Sequence, residues 1–375
     1  METTPTGDKW LFTPGPLTTS PTVKAAMQHD LGSRDVEFIQ KVDSIRRQLV
    51  EMVNAAPSDY TLIPIQGSGT YAVEATLSTV IPATGQLLLL ENGAYGERMA
   101  QIARVHHIPC EVYSVPETEH HDPTEVRRRL QQNPALTHVA LVHCETTSGI
   151  LNPLAALAQV VKAENRTLIV DAMSTFGSYP MDVQALGVDF LCFSSNKCLE
   201  GSPGLGLVIA RKNLLEACAG QARTLTLDLH AQWKGLDANG QFRYTPPTHV
   251  VLSLSQALAE LAEEGGVAGR AARYRNNYEV LRKGMLALGF RELVPAERQA
   301  YIITTYFYPA HPNFRFDSFY QQLSELGFVI YPGKVSRAEC FRLGNIGRMH
   351  EAQMHALLNA IQQVLAQLDI PTPLS

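Results

Sequence analysis

Short apolar runs alternate with helical patterns through the first two thirds of the chain. The runs are rich in leucine, isoleucine, valine and phenylalanine, which is typical of buried strands. The predicted strands cover 62–65, 87–90, 111–115, 138–143, 167–170 and 188–193, and the predicted helices cover 37–54, 71–80, 99–107, 126–132 and 154–164. Because strands that alternate with helices form right-handed crossovers, the pattern predicts an α/β fold with a mainly parallel sheet covered on both faces.

The alternation loosens after residue 211, and a second unit follows. Its predicted elements are helices at 250–261, 270–288, 316–326 and 351–368 and strands at 302–307, 329–330 and 340–343. A chain of 375 residues is long enough for two domains. We expect a large domain at 21–264, a small C-terminal α+β domain at 265–375 that closes over the sheet, and an N-terminal segment at 1–20 near the active site.

Composition and charge exclude several classes of protein. The net charge of -5 and the pI near 6.2 give no basic footprint for nucleic acid. The sequence contains no long apolar segment for a membrane, and METTPTGDKW has no signal-peptide pattern. The six cysteines show no metal-ligand spacing, which favours reduced thiols. We therefore expect a cytoplasmic protein that binds neither nucleic acid nor membranes.

Asp171 and Lys197 each follow one of two consecutive predicted strands. The carboxyl ends of strands are where open α/β sheets bind ligands. A lysine amine and a carboxylate at that edge suit pyridoxal phosphate, which needs an imine partner at one end and an anion beside its pyridine nitrogen. The alternative is a salt bridge at the edge of the sheet, and the two residues alone leave it open.

A glycine-containing turn precedes the predicted helix at 71–80. Ser68, Gly69 and Thr70 lie between a short strand and the start of this helix. Unpaired backbone NH groups at a helix start stabilise an anion, and the two hydroxyl groups can add contacts. We interpret the turn as a phosphate site, and the alternative is an ordinary N-cap with flexible glycines.

Three further residues are candidates for the same edge of the sheet. Tyr95 could stack on a planar ring and Thr146 could hydrogen-bond a ring substituent, although a tyrosine in a loop after a strand is more often packing. Arg342 lies on a short predicted strand between apolar residues. Because an unpaired buried charge is costly, its partner is either a carboxylate of the protein or an anionic substrate.

Ten segments in register resemble the class-V pyridoxal-phosphate aminotransferases of the aspartate-aminotransferase fold. The segments are LFTPGPLTTS, QGSGTYAVEA, NGAYGER, HCETTSGILNP, IVDAMSTFGS, SSNKCLEGSPG, TPPTHVV, EEGGVAGR, VIYPGK and FRLGNIG. They run from about residue 11 to near the end of the chain. The resemblance implies a fold-type I transferase with a mainly parallel seven-stranded sheet, a smaller C-terminal α+β domain and pyridoxal 5'-phosphate as the cofactor.

The resemblance also implies the residues that bind the cofactor. Lys197 would bind it covalently as an imine, and Asp171 would pair with its ring nitrogen. Tyr95 would stack on the ring, and Thr146 would lie near the 3-oxygen. The residues that would contact the phosphate are Ser68, Gly69, Thr70, Asn196 and, reaching into the site of the partner subunit, Thr245. The expected assembly is therefore a homodimer with shared active sites.

Within the family, the resemblance is strongest to members that transfer the amino group of 2-aminoethylphosphonate to pyruvate, giving phosphonoacetaldehyde and L-alanine in phosphonate metabolism. The implied substrate-binding residues are Arg342, Gly15 and Arg34. The alternatives are an alanine- or serine:glyoxylate-type aminotransferase, a lyase acting on a related aminophosphonate, and a non-catalytic binding module.

Arg34 departs from the family pattern, because an aromatic residue usually occupies this place near the substrate entrance. We expect Arg34 to add a second cationic contact that changes the preference among phosphonates. The alternative is a surface pair with Asp35 or Glu37.

Overall fold

The computed structural model of the protein describes residues 3–333 and 338–374, in which strands and helices alternate. The strands are β1 (Trp10–Leu11), β2 (Tyr60–Gln66), β3 (Gln86–Glu91), β4 (Cys110–Ser114), β5 (Leu136–Val142), β6 (Cys144–Glu145), β7 (Ile150–Leu151), β8 (Thr167–Asp171), β9 (Phe190–Ser194), β10 (Leu205–Arg211), β11 (Ile303–Phe307), β12 (Phe328–Val329), β13 (Tyr331–Pro332) and β14 (Cys340–Gly344). The helices are α1 (Pro21–Ala26), α2 (Val36–Glu51), α3 (Gly69–Val80), α4 (Ala94–Val105), α5 (Pro123–Gln132), α6 (Leu154–Ala163), α7 (Val183–Leu186), α8 (Lys212–Glu216), α9 (Leu229–Asn239), α10 (Thr248–Glu263), α11 (Gly266–Ala287), α12 (Phe316–Glu325) and α13 (Glu351–Gln367).

The central sheet has seven strands in the order β2-β10-β9-β8-β5-β3-β4. The pairs β3-β4, β3-β5, β5-β8 and β8-β9 are parallel, whereas β10 is antiparallel to both β2 and β9. The predicted seven-stranded, mainly parallel sheet is therefore confirmed. Strand β10 is absent from the predicted strands, although its run LGLVIAR is apolar and buried like the runs of its neighbours.

Strand β8 explains why the sheet is covered on both faces. Leu168 and Val170 pack into one apolar core and Ile169 into the other. Successive side chains of a strand point to opposite faces, so an uninterrupted apolar run fits only a sheet with helices on both sides. The first charged residue after the run is Asp171, which ends the strand. The apolar run thus places this carboxylate at the edge of the sheet.

The C-terminal unit has its own core around the antiparallel sheet β11-β14-β13. Trp10 and Phe12 of the N-terminal segment pack in this core, and β1 pairs in parallel with β12. The N-terminal segment therefore belongs to the packing of the small unit. The predicted limit at 264/265 falls between α10 and α11 and stays a prediction.

Helix α4 corrects one predicted boundary. The helix begins at Ala94, and not at residue 99, so Tyr95 lies in its first turn and not in a loop. The backbone NH groups of Tyr95 and Gly96 donate to Oε2 of Glu145 at 3.1 and 3.4 Å. The helix start is thus stabilised by a carboxylate 49 residues away in sequence. The local sequence pattern could not reveal this contact.

Helix α9 was also missing from the predicted elements, and Lys334 of the VIYPGK segment lies outside the described residues. Within 3–333 and 338–374, no helix combines the length and the apolar character needed to span a bilayer.

Candidate active site

A cavity opens at the carboxyl ends of β8 and β9, beside the start of α3. The polar side chains that line it include most of the predicted cofactor-binding set, namely Ser68, Thr70, Tyr95, Asp171, Asn196 and Lys197, together with Arg98. Strand ends and helix starts meet here because the sheet is parallel in this region. The structure thus brings together residues that are spread over about 130 positions of the chain.

Lys197 lies in the turn that follows β9 and is held against the N-terminal segment. Its Nζ donates a 2.7 Å hydrogen bond to the carbonyl oxygen of Pro14. Gly15 has a φ of +125°, and a Cβ atom there would lie 2.4 Å from Nζ of Lys197. Burial lowers the pKa of Lys197 to about 8, so a larger fraction of the amine is neutral and nucleophilic than in water.

Asp171 is the buried carboxylate of the site. Its Oδ1 accepts a 2.9 Å hydrogen bond from the backbone NH of Met173. Burial raises its pKa to about 6, while that hydrogen bond and the positive charges of Arg98 and Lys197 oppose the rise. Among the described residues, no ion pair within 4.0 Å joins Asp171 to Lys197 or to another cation. The salt-bridge alternative is therefore absent, and the carboxylate suits a cationic NH group of a ligand.

The start of α3 has the features of an anion site. Ser68 is the N-cap residue, but its side chain accepts no hydrogen bond from the helix. A Cβ atom on Gly69 would lie 2.1 Å from Sδ of Met173, so the absence of a side chain at Gly69 lets Met173 pack against the start of α3. The hydroxyl of Ser68 is free of any capping role, which favours the phosphate interpretation over the N-cap interpretation.

Arg342 reaches the site from β14 and is only 2% exposed. Its Nη1 donates to the carbonyl oxygen of Thr146 at 3.1 Å, and its Nε donates to that of Pro332 at 3.1 Å. Burial lowers the pKa of Arg342, and its positive charge in turn helps to lower the pKa of Lys197. In the described residues no carboxylate lies within ion-pair distance of this guanidinium. The carboxylate alternative is thus absent among the described residues, and a substrate-binding role for Arg342 stays a prediction.

Besides Gly15 and Arg342, three further predicted residues lie outside the cavity lining. Thr146 is buried, and its carbonyl contacts Arg342, whereas Thr245 and Arg34 are exposed on the single chain. Asp35 caps α2 and Glu37 pairs with Lys41, so neither forms the surface pair considered for Arg34. The roles of these three residues stay predictions.

Two residues of the site were missed by the sequence reasoning. Arg98 lines the cavity, and its guanidinium lies 5.1 Å from the centre of the Tyr95 ring. Glu145 is fully buried, accepts from the start of α4 and from Oγ1 of Thr147 at 2.7 Å, and has its pKa raised to about 7 by burial. A helix predicted to start at Ala94 would have indicated that Tyr95 and Arg98 are neighbours, because residues three apart lie on the same face of a helix.

These donors fit pyridoxal phosphate. The cavity holds a lysine amine of lowered pKa, a buried carboxylate with no ion-pair partner among the described residues, and the start of a helix at Gly69. Residues 20–330 match the family described as aminotransferase class-V. The chain belongs to the class-V aminotransferases, and its cofactor is pyridoxal 5'-phosphate.

Individual relatives are similar over nearly the whole chain. The 2-aminoethylphosphonate--pyruvate transaminase of Syntrophobacter fumaroxidans is 50% identical over 356 residues, which is 95% of this chain and 96% of the relative. The enzyme of the same name from Klebsiella pneumoniae subsp. pneumoniae is 49% identical, covering 95% of this chain and 97% of the relative. Among solved structures, an alanine--glyoxylate aminotransferase from Nostoc sp. has a TM-score of 0.88 and 25% identity, with 97% of each chain covered. A pyridoxamine-pyruvate aminotransferase from Mesorhizobium loti has a TM-score of 0.88 at 22% identity, with 99% of this chain and 96% of that chain covered.

Proposed function

We propose that this chain transfers the amino group of 2-aminoethylphosphonate to pyruvate, giving phosphonoacetaldehyde and L-alanine. The observation that carries the proposal is the buried guanidinium of Arg342, which has no carboxylate partner within ion-pair distance among the described residues. A guanidinium in this setting suits the anionic end of a substrate. The identity of about 50% to transaminases named for these two substrates supports the same choice.

The cofactor, when bound, supplies an electron sink that makes the amine-bearing carbon of the substrate acidic. In the proposed mechanism, Nζ of Lys197 removes the proton from that carbon and later returns it, as a general base and then a general acid. Its lowered pKa, about 8, suits both directions of this transfer. Asp171 holds the proton on the ring nitrogen, because a nearby anion favours the charged form of a base.

Arg342 serves both half-reactions in this proposal. One half-reaction presents a tetrahedral phosphonate and the other a planar carboxylate, and the oxygens of either anion can accept two hydrogen bonds from one guanidinium. Its contacts with Thr146 and Pro332 use Nη1 and Nε. Nη2 makes no hydrogen bond among the described residues, and we assign its two NH groups to the substrate.

We further propose a homodimer with shared active sites. Thr245 and Arg34 are exposed, and so are the nearby apolar side chains of Val36, Tyr71 and Tyr244. A second subunit would cover these apolar side chains and bring Thr245 to its site. Mixing Lys197→Ala and Thr245→Ala subunits tests this arrangement, because a shared site predicts that mixed dimers regain activity that neither variant has alone.

We also propose a cytoplasmic location. The support is that Cys110, Cys144, Cys192, Cys198 and Cys218 are free thiols. Thiols persist in reducing compartments.

A coupled assay for phosphonoacetaldehyde and alanine tests the proposed reaction directly. The expected result is formation of both products from 2-aminoethylphosphonate and pyruvate in equal amounts. Faster turnover of alanine or serine with glyoxylate would replace the proposal by the alternative amino acid reaction. Ammonia release without alanine would indicate a lyase, and no turnover of any donor by a protein without visible absorbance would indicate a binding module.

A further inference from the structure

Arg98 lines the cavity and has no role in the proposed reaction. It lies one turn after Tyr95 on α4, and its guanidinium is 5.1 Å from the centre of the Tyr95 ring. Its Nη1 donates to Oγ1 of Thr70 at 3.4 Å. Arg98 therefore contacts the aromatic residue expected on the cofactor ring and a hydroxyl of the helix start expected at the phosphate.

The charges around the cavity leave Arg98 without a carboxylate partner. No ion pair within 4.0 Å involves Arg98 among the described residues. The positive charge of Arg98 acts on Asp171, because it opposes the rise in the pKa of that carboxyl more than the charge of Lys197 does. Lys197 is the other cation lining the cavity in the described part of the chain, and its amine is assigned to the covalent link with the cofactor.

A phosphate ester carries nearly two negative charges at neutral pH. The start of α3 contributes about half a positive charge, and the hydroxyls of Ser68 and Thr70 are neutral donors. A cation beside Thr70 would compensate much of the remaining charge. Arginine suits this task because its guanidinium can donate two hydrogen bonds to one phosphate.

We infer that Arg98 is a further cofactor-binding residue, which binds the phosphate group together with the start of α3. This inference rests on the proposed placement of the phosphate at Ser68, Gly69 and Thr70. In this role the guanidinium of Arg98 contacts the negatively charged phosphate, in addition to stacking on the Tyr95 ring. The two roles differ in a measurable way, because a phosphate contact discriminates between cofactor forms that have and lack the phosphate.

The test compares ligand binding to the protein freed of its cofactor, at constant salt. Inorganic phosphate, pyridoxal 5'-phosphate and pyridoxal are each titrated into the original protein, Arg98→Gln and Arg98→Lys. The control is Arg104→Gln, which removes the same charge from a residue of the same helix that is exposed like Arg98 but does not line the cavity. Binding is followed by calorimetry for phosphate and by absorbance for the two aldehydes.

For Arg98→Gln we expect the affinity for inorganic phosphate and for pyridoxal 5'-phosphate to fall at least about tenfold, as the loss of a charge-assisted hydrogen bond implies. The affinity for pyridoxal should stay within about twofold, and Arg98→Lys should retain part of the phosphate affinity. Unchanged phosphate affinity would overturn the inference. An equal loss for both aldehydes would also overturn it, because it would mean that Arg98 acts only through Tyr95. Neither readout depends on the amino donor, so a failure here is distinct from a failure of the proposed reaction.

Discussion

Nζ of Lys197 donates a 2.7 Å hydrogen bond to the carbonyl oxygen of Pro14, 183 residues away in sequence. The segment that carries Pro14 is also attached to the small unit, since Phe12 packs in its core and β1 pairs with β12. The lysine of the large sheet is therefore held by a segment anchored in the other unit. A movement of the small unit would change the surroundings of the amine.

Gly15 makes this close approach possible, and Gly15→Ala should disturb the lysine. The new Cβ atom would lie 2.4 Å from Nζ and 2.8 Å from Cδ of Lys197, at a φ of +125° that side chains rarely adopt. We expect slower cofactor attachment, by at least about tenfold, measured by the rise of visible absorbance after mixing with pyridoxal phosphate. The control is Gly7→Ala, also at positive φ (+81°) but with no atom within 4 Å. Equal rates in the two variants would contradict the steric role of Gly15.

Lys197→Ala should abolish covalent attachment of the cofactor. Without the amine at this position, borohydride treatment should leave no adduct, and turnover should fall by about 10³-fold or more because the general base is also lost. The measurement is mass spectrometry of borohydride-treated protein and peptides. Lys212→Ala is the control, since Nζ of Lys212 contacts the carbonyl of Pro57 at an exposed site. An adduct on a residue other than Lys197 would refute the assignment.

Arg342→Lys should weaken both half-reactions. The substitution keeps a positive charge but removes the two-pronged donor, so the KM values for 2-aminoethylphosphonate and for pyruvate should each rise by about 10- to 100-fold. Single-turnover measurements follow the two half-reactions separately, and thermal unfolding checks that the buried contacts with Thr146 and Pro332 are tolerated. Normal use of pyruvate by a folded variant would contradict the assignment of Arg342.

Glu145→Gln should reduce the pH dependence of stability of the cofactor-free protein. Burial raises the pKa of Glu145 from 4.5 to about 7, so the folded protein binds this proton more tightly than the unfolded chain. The resulting stabilisation is fully present below pH 4.5 and is lost as the pH rises through 7. At about 1.4 kcal/mol per pH unit, the loss is on the order of 3 kcal/mol.

Urea unfolding at several pH values between 4.5 and 8 measures this dependence. The amide oxygen of glutamine can still accept from the backbone of Tyr95 and Gly96, so the start of α4 should persist. Asp171, whose pKa is raised to about 6, contributes a dependence of the same sign that remains in the variant. An identical pH profile for Glu145→Gln and the original protein would show that Glu145 is not the titrating group.

Arg34→Trp should change the preference among aminophosphonates, if Arg34 provides a second cationic contact at the substrate entrance. The residue is exposed and forms no ion pair within the described residues, so its guanidinium is available. We expect the kcat/KM ratio between 2-aminoethylphosphonate and longer or substituted analogues to shift by about three- to tenfold. The measurement is a comparison of several donors at one pyruvate concentration. Unchanged relative rates would leave Arg34 without a role in substrate choice.

The sequence by itself determined six of the seven strands of the sheet and the residues that follow them. Runs such as TLIV and FLCF predict buried strands because they are apolar on both faces, and Asp171 and Lys197 are the charged residues that come next. Likewise, the turn at Ser68 and Gly69 is recognised from small residues before a helical pattern. All of these features depend on neighbours within a few positions.

Only the tertiary structure decided which distant residues complete the site. Lys197 contacts Pro14, which is 183 residues away in sequence, and Arg342 contacts Thr146, which is 196 residues away. Glu145 accepts from the start of α4, about 50 residues earlier. The tertiary structure also decided the direction of β10 and the packing of Trp10 in the small unit. No periodicity encodes such pairs, because they depend on how separate elements pack once the apolar surfaces are buried.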